Sequence, residues 1–177
     1  MPPVVSPSMK HSEHHFIDDG EVPNNHLPLI VYEGAVDPTG SDLAATFEDL
    51  FDRNGWGGGW RNGIYPFHHY HSTAHEVLGI ARGEATVRFG GEHGETLQVK
   101  AGDAVLIPAG VGHKRLRSSA DLLVIGAYPA GQRADLMRED APDKPAIRAR
   151  VAAVPLPKAD PLAGTRGPML AAWHNAS

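Results

Sequence analysis

The chain has 177 residues, 41% of them hydrophobic, and a formal net charge of −5. This length is enough for one sizeable core and short for two, so the sequence predicts a single domain over residues 1–177. The mildly acidic balance argues against nucleic acid or an anionic membrane surface as a partner. Because the chain has no cysteine, any metal must be bound by histidine and carboxylate side chains.

Residues 1–62 are predicted to form an arm and one helix. The opening stretch "MPPVVSPSMKHSEHHF" has no apolar run of signal-peptide length, which makes the cytoplasm the expected compartment. Its histidines, His11, His14 and His15, are interpreted as part of a solvated arm. The stretch "SDLAATFEDLFDRNGW" predicts a helix with Ser41 as N-cap and Gly55 as the stop. Its predicted apolar face consists of Leu43, Phe47, Leu50 and Phe51.

Residues 63–129 read as a core of short strands. Alternating or continuous apolar patterns occur in "EVLGIA", "EATVRF", "TLQVK", "DAVLIP" and "DLLVIGAY". Glycines at 90, 91 and 94, and the Gly102-Asp103 pair, punctuate the gaps, so antiparallel hairpins are the simplest connections. The sequence therefore predicts an all-β sandwich or barrel, with the helix and the first forty or so residues packed outside it.

Residues 130–177 are rich in proline, which disfavours central strands and long helices. We therefore expect either an extended tail that wraps the barrel or a tail that is partly mobile. Leu156, Leu162 and Trp173 are its predicted apolar anchors.

The stretch "FHHYHSTAHE" concentrates histidines next to a carboxylate. Side chains alternate along a strand, so His69 and His71 are predicted to share one face while His68 and Tyr70 take the other. A tight turn and a return strand would bring Glu76 beside the first pair. A fourth ligand is available at the end of "GDAVLIPAGVGH", at His113.

Both stretches resemble the signature motifs of the cupin superfamily. The first motif is similar to the series Gly63, five residues, His69-x-His71, four residues, Glu76, six residues and Gly83. The second motif is similar to the series Gly102, five residues, Pro108-x-Gly110, two residues and His113. This motif usually ends in Asn, at the position where this chain has Arg117. The wider sequence, including "GAYPAGQ", resembles the YjlB-like group of small cupins.

This resemblance implies a double-stranded β-helix, or jelly roll. It further implies that His69, His71, Glu76 and His113 are ligands of one divalent transition metal. Three imidazoles and one carboxylate suit Fe, Mn, Ni, Co, Zn or Cu better than Ca or Mg, and would leave about two positions of an octahedral ion open. Cupins commonly pair, so a homodimer is expected.

Strand parity nominates Tyr65 and Arg115 as further groups near the metal. Tyr65 either donates a proton to substrate or satisfies a backbone carbonyl. Arg115 either binds a substrate carboxylate or phosphate or lies exposed at a strand end. His68 and His75 are expected outside the ligand set.

Two classes of function follow. The first is a metalloenzyme acting on a small organic molecule, with an iron-dependent dioxygenase narrowly favoured over an isomerase, decarboxylase or lyase. The second is a non-enzymatic module that binds a metal or metabolite.

Overall fold

A computed structural model of the chain describes residues 5–176 and has two antiparallel sheets. The larger sheet has the strand order β1-β2-β8-β5-β10-β3, and the smaller one has the order β11-β4-β9-β6-β7. The larger sheet is formed by β1 (Lys10–Phe16), β2 (Asn25–Glu33), β3 (Trp56–Asn62), β5 (Glu76–Arg82), β8 (Ala104–Ile107) and β10 (Leu123–Pro129). The smaller sheet is formed by β4 (His69–Tyr70), β6 (Glu84–Phe89), β7 (Glu95–Lys100), β9 (His113–Ser118) and β11 (Met137–Arg138). This arrangement confirms the predicted all-β jelly roll.

Within the first forty residues, the described strands β1 and β2 differ from the prediction. They do not lie outside the barrel, because β1 and β2 extend the larger sheet beside β8. The "HSEHH" histidines are on β1, at the edge of that sheet, and the Nδ1 atom of His14 lies 2.7 Å from Glu95 Oε2. Most of β1 is exposed, so it lacks the alternation of buried and exposed positions that identifies a strand in a sequence.

The single predicted N-terminal helix is present as α1 (Leu43–Arg53), and its four predicted apolar residues are all buried. Asp42, not Ser41, is the N-cap, and its carboxylate accepts a hydrogen bond from the backbone N–H of Ala45. The helix packs on the outer face of β5 at a glycine. A Cβ atom at Gly79 would lie 2.5 Å from the Phe47 ring, so the absence of a side chain there lets helix and sheet approach closely.

One predicted hairpin is wrong. Strands β6 and β7 form the expected hairpin, but β7 and β8 belong to different sheets. The chain crosses between the sheets at Gly102, which has φ +98°. A Cβ atom at this position would lie 2.6 Å from the Val36 carbonyl oxygen. The glycine therefore serves a sheet-to-sheet corner rather than a tight turn.

The tail is less extended than predicted, because it contains α2 (Lys144–Ala153) and α3 (Pro168–Ala176). Both helices have proline in the first turn, where no intrahelical N–H is required. Of the predicted anchors, Leu162 and Trp173 are buried in the core under α1, and Leu156 packs against it.

A buried carboxylate fixes the path of the tail. Asp160 is fully buried and accepts hydrogen bonds from the Tyr32 hydroxyl at 2.7 Å and from the backbone N–H of Leu162, Ala163 and Met169. These bonds join the tail to β2 and to the start of α3. No helix within residues 5–176 is long and apolar enough to cross a membrane.

Candidate functional site

The predicted ligands lie at one end of the barrel, on both sheets. His69 on β4 pairs directly with His113 on β9, in the smaller sheet. Glu76 is the first residue of β5, in the larger sheet, and is buried. His71 comes just after the two-residue strand β4. The gap between the two sheets is therefore lined by imidazoles on one side and by a carboxylate on the other.

Three of the four side chains form a compact cluster. Glu76 Oε1 lies 3.2 Å from His71 Nε2 and 3.5 Å from His113 Nε2. The ligand atoms of these three residues all lie within 4.8 Å of one another. In the described part of the chain, no other group of three or more His, Asp or Glu side chains meets this condition. His69 lies beside this cluster but not within that limit. Its ring centroid is 4.0 Å from that of His113 and 6.0 Å from that of His71.

All three imidazoles are oriented in the same way. Each Nδ1 atom contacts a backbone carbonyl oxygen, which can only accept, so each Nδ1 carries a proton, and in the neutral ring Nε2 then holds the lone pair. The carbonyls belong to Phe67 for His69 (3.0 Å), to Asp135 for His71 (2.5 Å) and to Val111 for His113 (3.2 Å). A histidine that binds a metal through Nε2 must be in this neutral form, with its proton on Nδ1.

The Glu76 carboxylate has one oxygen that can still accept a hydrogen bond or bind a metal ion. Its Oε2 atom is buried and has no hydrogen-bond partner among the described residues. A buried carboxylate oxygen without a donor is costly, so an additional partner is expected there. Three nitrogen donors and one oxygen donor fit a divalent transition ion, and the orphaned oxygen supports that fit.

Without a bound ion, Glu76 and His71 form a buried ion pair, in which His71 carries a second proton on Nε2. Burial alone would raise the pKa of Glu76, but the positive charge of His71 and hydrogen bonds from His113 and His71 hold that pKa well below its usual range. Burial lowers the pKa of His71, yet the adjacent Glu76 carboxylate outweighs it and raises the pKa to about 9. Burial, reinforced by His113, lowers the pKa of His69 to about 2.

The cluster opens into a cavity of about 620 Å³. Both further residues nominated by the sequence line it. Tyr65 is 49% exposed, and its ring stacks on Phe67 with the centroids 4.9 Å apart. Arg115 is half-buried and also lines the cavity, whereas Arg117, at the position of the usual motif asparagine, is exposed and does not.

Sequence reasoning missed Tyr128, which lines the same cavity. The Trp60 indole donates its N–H to the Tyr128 hydroxyl at 2.8 Å. Burial and the nearby Glu76 carboxylate raise the pKa of Tyr128. A signal was present in "DLLVIGAY", because period-two alternation puts Tyr128 on the same face as Val124, whose side chain is in the core between the sheets.

Sequence reasoning also missed Asp135, for which no pattern gave a signal. Its carbonyl oxygen orients His71, and its carboxylate accepts hydrogen bonds from the Ser72 backbone N–H at 2.6 Å and from the Ser72 hydroxyl. Arg150 on α2 donates to that hydroxyl at 3.1 Å. His71 is thus oriented from the tail, whereas His69 and His113 are oriented by residues two positions before them.

The remaining histidines of the stretch lie outside the cluster. His68 is buried and its Nε2 atom is 2.9 Å from Glu92 Oε2. His75 is buried as well, its Nδ1 atom accepts a hydrogen bond from the Ala109 N–H at 2.9 Å, and its ring packs on Trp173. Burial lowers the pKa of His75 to about 4. Neither residue shares the cavity with Glu76.

Comparisons with known proteins agree with this architecture. The family model of the cupin domain matches residues 61–125. The uncharacterized protein YjlB of Bacillus subtilis (strain 168) is 45% identical over 159 residues, which are 89% of this chain and 93% of YjlB.

Likeness to solved structures is partial. An 11S allergen from Cocos nucifera has 17% identity and a TM-score of 0.36, and its match covers 45% of this chain and 24% of the allergen. The chain thus spans about a quarter of that protein's length. Acireductone dioxygenase from Bacillus anthracis, with a cadmium ion in its active centre, has 16% identity and a TM-score of 0.37, with coverage of 52% of this chain and 64% of the dioxygenase. The match to YjlB over nearly the whole of both chains, with both motifs in order, shows that this protein belongs to the cupin superfamily, in the group of small cupins related to YjlB.

Proposed function

We propose that this protein is a metal-dependent cupin that acts on a small organic molecule in the cavity between its two sheets. The observation that carries the proposal is the contact of two histidine Nε2 atoms with a buried glutamate that has one oxygen unpartnered. In this proposal His71, Glu76 and His113 are ligands of one divalent transition ion, and the adjacent His69 completes the set.

The donor set indicates the class of ion. Three neutral imidazoles and one carboxylate give a divalent ion and its ligands a net charge of about +1. This donor set favours Fe, Mn, Co, Ni, Cu or Zn. When bound, such an ion supplies Lewis-acid polarisation of a substrate oxygen or a site for oxygen chemistry. The cavity of about 620 Å³ has room for a small organic molecule next to that position.

Three side chains of the cavity are assigned roles towards the substrate. Tyr128, whose oxygen accepts the Trp60 N–H and which lies beside Glu76, is assigned the role of donating its hydroxyl proton to a bound oxygen. Tyr65, which is partly exposed, contributes an aromatic wall of the cavity, and Arg115 supplies positive charge from β9. An ionisable residue other than a ligand beside the metal position favours an enzyme over a passive binding module.

Within the enzyme class, a dioxygenase of the iron type is the first reaction to test, ahead of isomerase, decarboxylase or lyase chemistry. The reason is the resemblance of a three-histidine, one-carboxylate set to that group. Because one fold hosts all of these reactions, the reaction must be assigned by measurement.

The experiment is elemental analysis of untagged protein purified anaerobically, beside the variants Glu76→Gln and Glu92→Gln. We expect one transition ion per chain in the wild type and in Glu92→Gln, whose side chain pairs with His68 away from the cavity. Glu76→Gln should lose the ion. Wild-type protein without metal, or equal occupancy in both variants, would contradict the proposal. Oxygen uptake by the iron-loaded protein during a metabolite screen then separates a dioxygenase from the other reactions and from a binding module.

Three further expectations belong to the same proposal. The chain is expected to form a homodimer, which light scattering tests. It is expected to behave as a single unit, with residues 1–62 and 130–177 attached to the 63–129 core, which limited proteolysis tests. The cytoplasmic location is tested by fractionation of the native cells.

A further inference from the structure

The cavity carries one cationic side chain whose charge is not paired. Arg115 is the only arginine or lysine among the described residues that line it. Its Nε donates to the Ile64 carbonyl oxygen at 3.1 Å, and its Nη1 donates to the Ser118 hydroxyl at 3.1 Å. Both acceptors are neutral, and within residues 5–176 no carboxylate forms an ion pair with this guanidinium.

The guanidinium is also held in place. The Arg115 backbone N–H donates to the Tyr65 carbonyl oxygen at 3.0 Å, and Arg115 pairs with Val87 in the smaller sheet. The main chain and the side chain are therefore both fixed before any ligand arrives. A fixed, partly buried arginine without a counter-ion has N–H groups suited to an oxyanion, which it binds through charge-assisted hydrogen bonds.

Arg115 lies close to the proposed metal ligands. It follows His113 by two residues on β9, and two residues of a strand put both side chains on the same face, about 7 Å apart along the backbone. The cavity also contains the Asp135 carboxylate, but both of its oxygens are engaged by Ser72. A ligand with two polar ends can thus reach the His71, Glu76 and His113 cluster with one end and Arg115 with the other.

We infer that the substrate is a small organic acid whose anionic group, a carboxylate or a phosphate, binds Arg115 while its other end lies at the histidine and glutamate cluster. This inference rests on the proposed function and specifies its substrate class. The cavity is also lined by the apolar side chains of Ile64, Leu78 and Leu122, so the connecting part of the molecule is apolar or short. A neutral analogue of the same shape leaves the guanidinium without its partner and binds more weakly.

Isothermal titration calorimetry on metal-loaded protein tests the inference. The probes are the dicarboxylates succinate, glutarate and adipate, and the phosphono acids of the same lengths. The tightest of these is then compared with its monoamide. We expect the wild type to bind the diacid at least about tenfold more tightly than the monoamide. The relative affinity of the dicarboxylate and phosphono series identifies the anionic group.

Two variants assign the effect to one side chain. Arg115→Gln should bind the diacid at least about tenfold more weakly than the wild type does. Arg117→Gln is the matched control, because Arg117 is on the same strand, is exposed and does not line the cavity. This control should bind like the wild type.

Several results would overturn the inference. They are a failure of metal-loaded wild type to bind any of the acids, equal affinity for the diacid and its monoamide, or unchanged binding by Arg115→Gln. The comparison of diacid and monoamide uses unmutated protein, so it decides the question even if Arg115→Gln does not fold. Metal content is measured on the same samples. If the metal content is intact but the diacid and its monoamide bind equally well, the proposed substrate class is refuted and the proposed metal site is not. If the wild type contains no metal, the proposed metal site is refuted.

Discussion

Replacing Asp135 with alanine should weaken metal binding without removing any metal ligand. The Asp135 carboxylate attaches the tail to Ser72, and the carbonyl oxygen of the same residue orients His71. The variant keeps the carbonyl but loses the bonds that fix its position. His71 is then free to rotate away from Glu76, which lies 3.2 Å from it.

The magnitude follows from these contacts. Loss of a partner that orients a metal-binding histidine costs about 10–100-fold in metal affinity. Because the carbonyl itself remains in Asp135→Ala, we expect the lower end, about tenfold, which is about 1.4 kcal/mol. Asp135→Asn retains an acceptor oxygen for the Ser72 N–H and should recover part of the loss.

Competition with a chromophoric chelator measures the affinity of each purified variant for zinc or cobalt. Asp37→Ala is the matched control, because Asp37 accepts hydrogen bonds from the N–H and hydroxyl of Thr39 just as Asp135 does from Ser72. The control should bind metal like the wild type. Equal affinity in Asp135→Ala and Asp37→Ala would refute the view that the tail orients His71.

Three other predictions concern the site, the core and the surface. His71→Ala should lose metal occupancy whereas His68→Ala should retain it, as elemental analysis would show, because His71 contacts Glu76 and His68 pairs with Glu92 instead. Phe47→Ala should lower the free energy of unfolding by about 3–5 kcal/mol in urea titration, since Phe47 is fully buried between α1 and β5. The hydrogen bond from Arg148 lowers the pKa of Asp18. This pair therefore stabilises the fold at pH values above the ordinary pKa of aspartate, and the stabilisation is lost as the pH falls through the lowered pKa of Asp18. The melting temperatures of wild type and Arg148→Gln should therefore differ slightly at neutral pH and converge in acid.

Much of the barrel was predictable because its central strands are buried in a regular pattern. Strand β6, for example, has a fully alternating pattern of burial, and "EATVRF" shows it as a sequence. Strand β1 was missed because both faces of this edge strand are largely exposed, which removes the alternation. The sequence predicts a hairpin at Gly102 rather than a crossing, because a glycine with positive φ is compatible with both kinds of corner.

The ligands were easier to predict than the residues that support them. Motif spacing nominated His71, although the structure places it beyond the two-residue strand whose alternation was used to orient it. Asp135 is 64 positions away from His71 and contacts it from a loop, and no local periodicity encodes such a contact. Metal binding by these residues stays a prediction.

The hydrogen bond between Trp60 and Tyr128 has a spectroscopic consequence. Of the three tryptophans, Trp56 and Trp173 are buried in the core under α1 and donate to the backbone carbonyls of Ala159 and Pro28. Trp60 alone lines the cavity, and its indole N–H is bound to a hydroxyl that faces the same space. A molecule that engages Tyr128 therefore changes the environment of one emitter while the other two stay constant. Intrinsic fluorescence can thus report occupancy of the cavity in real time, before any reaction has been identified.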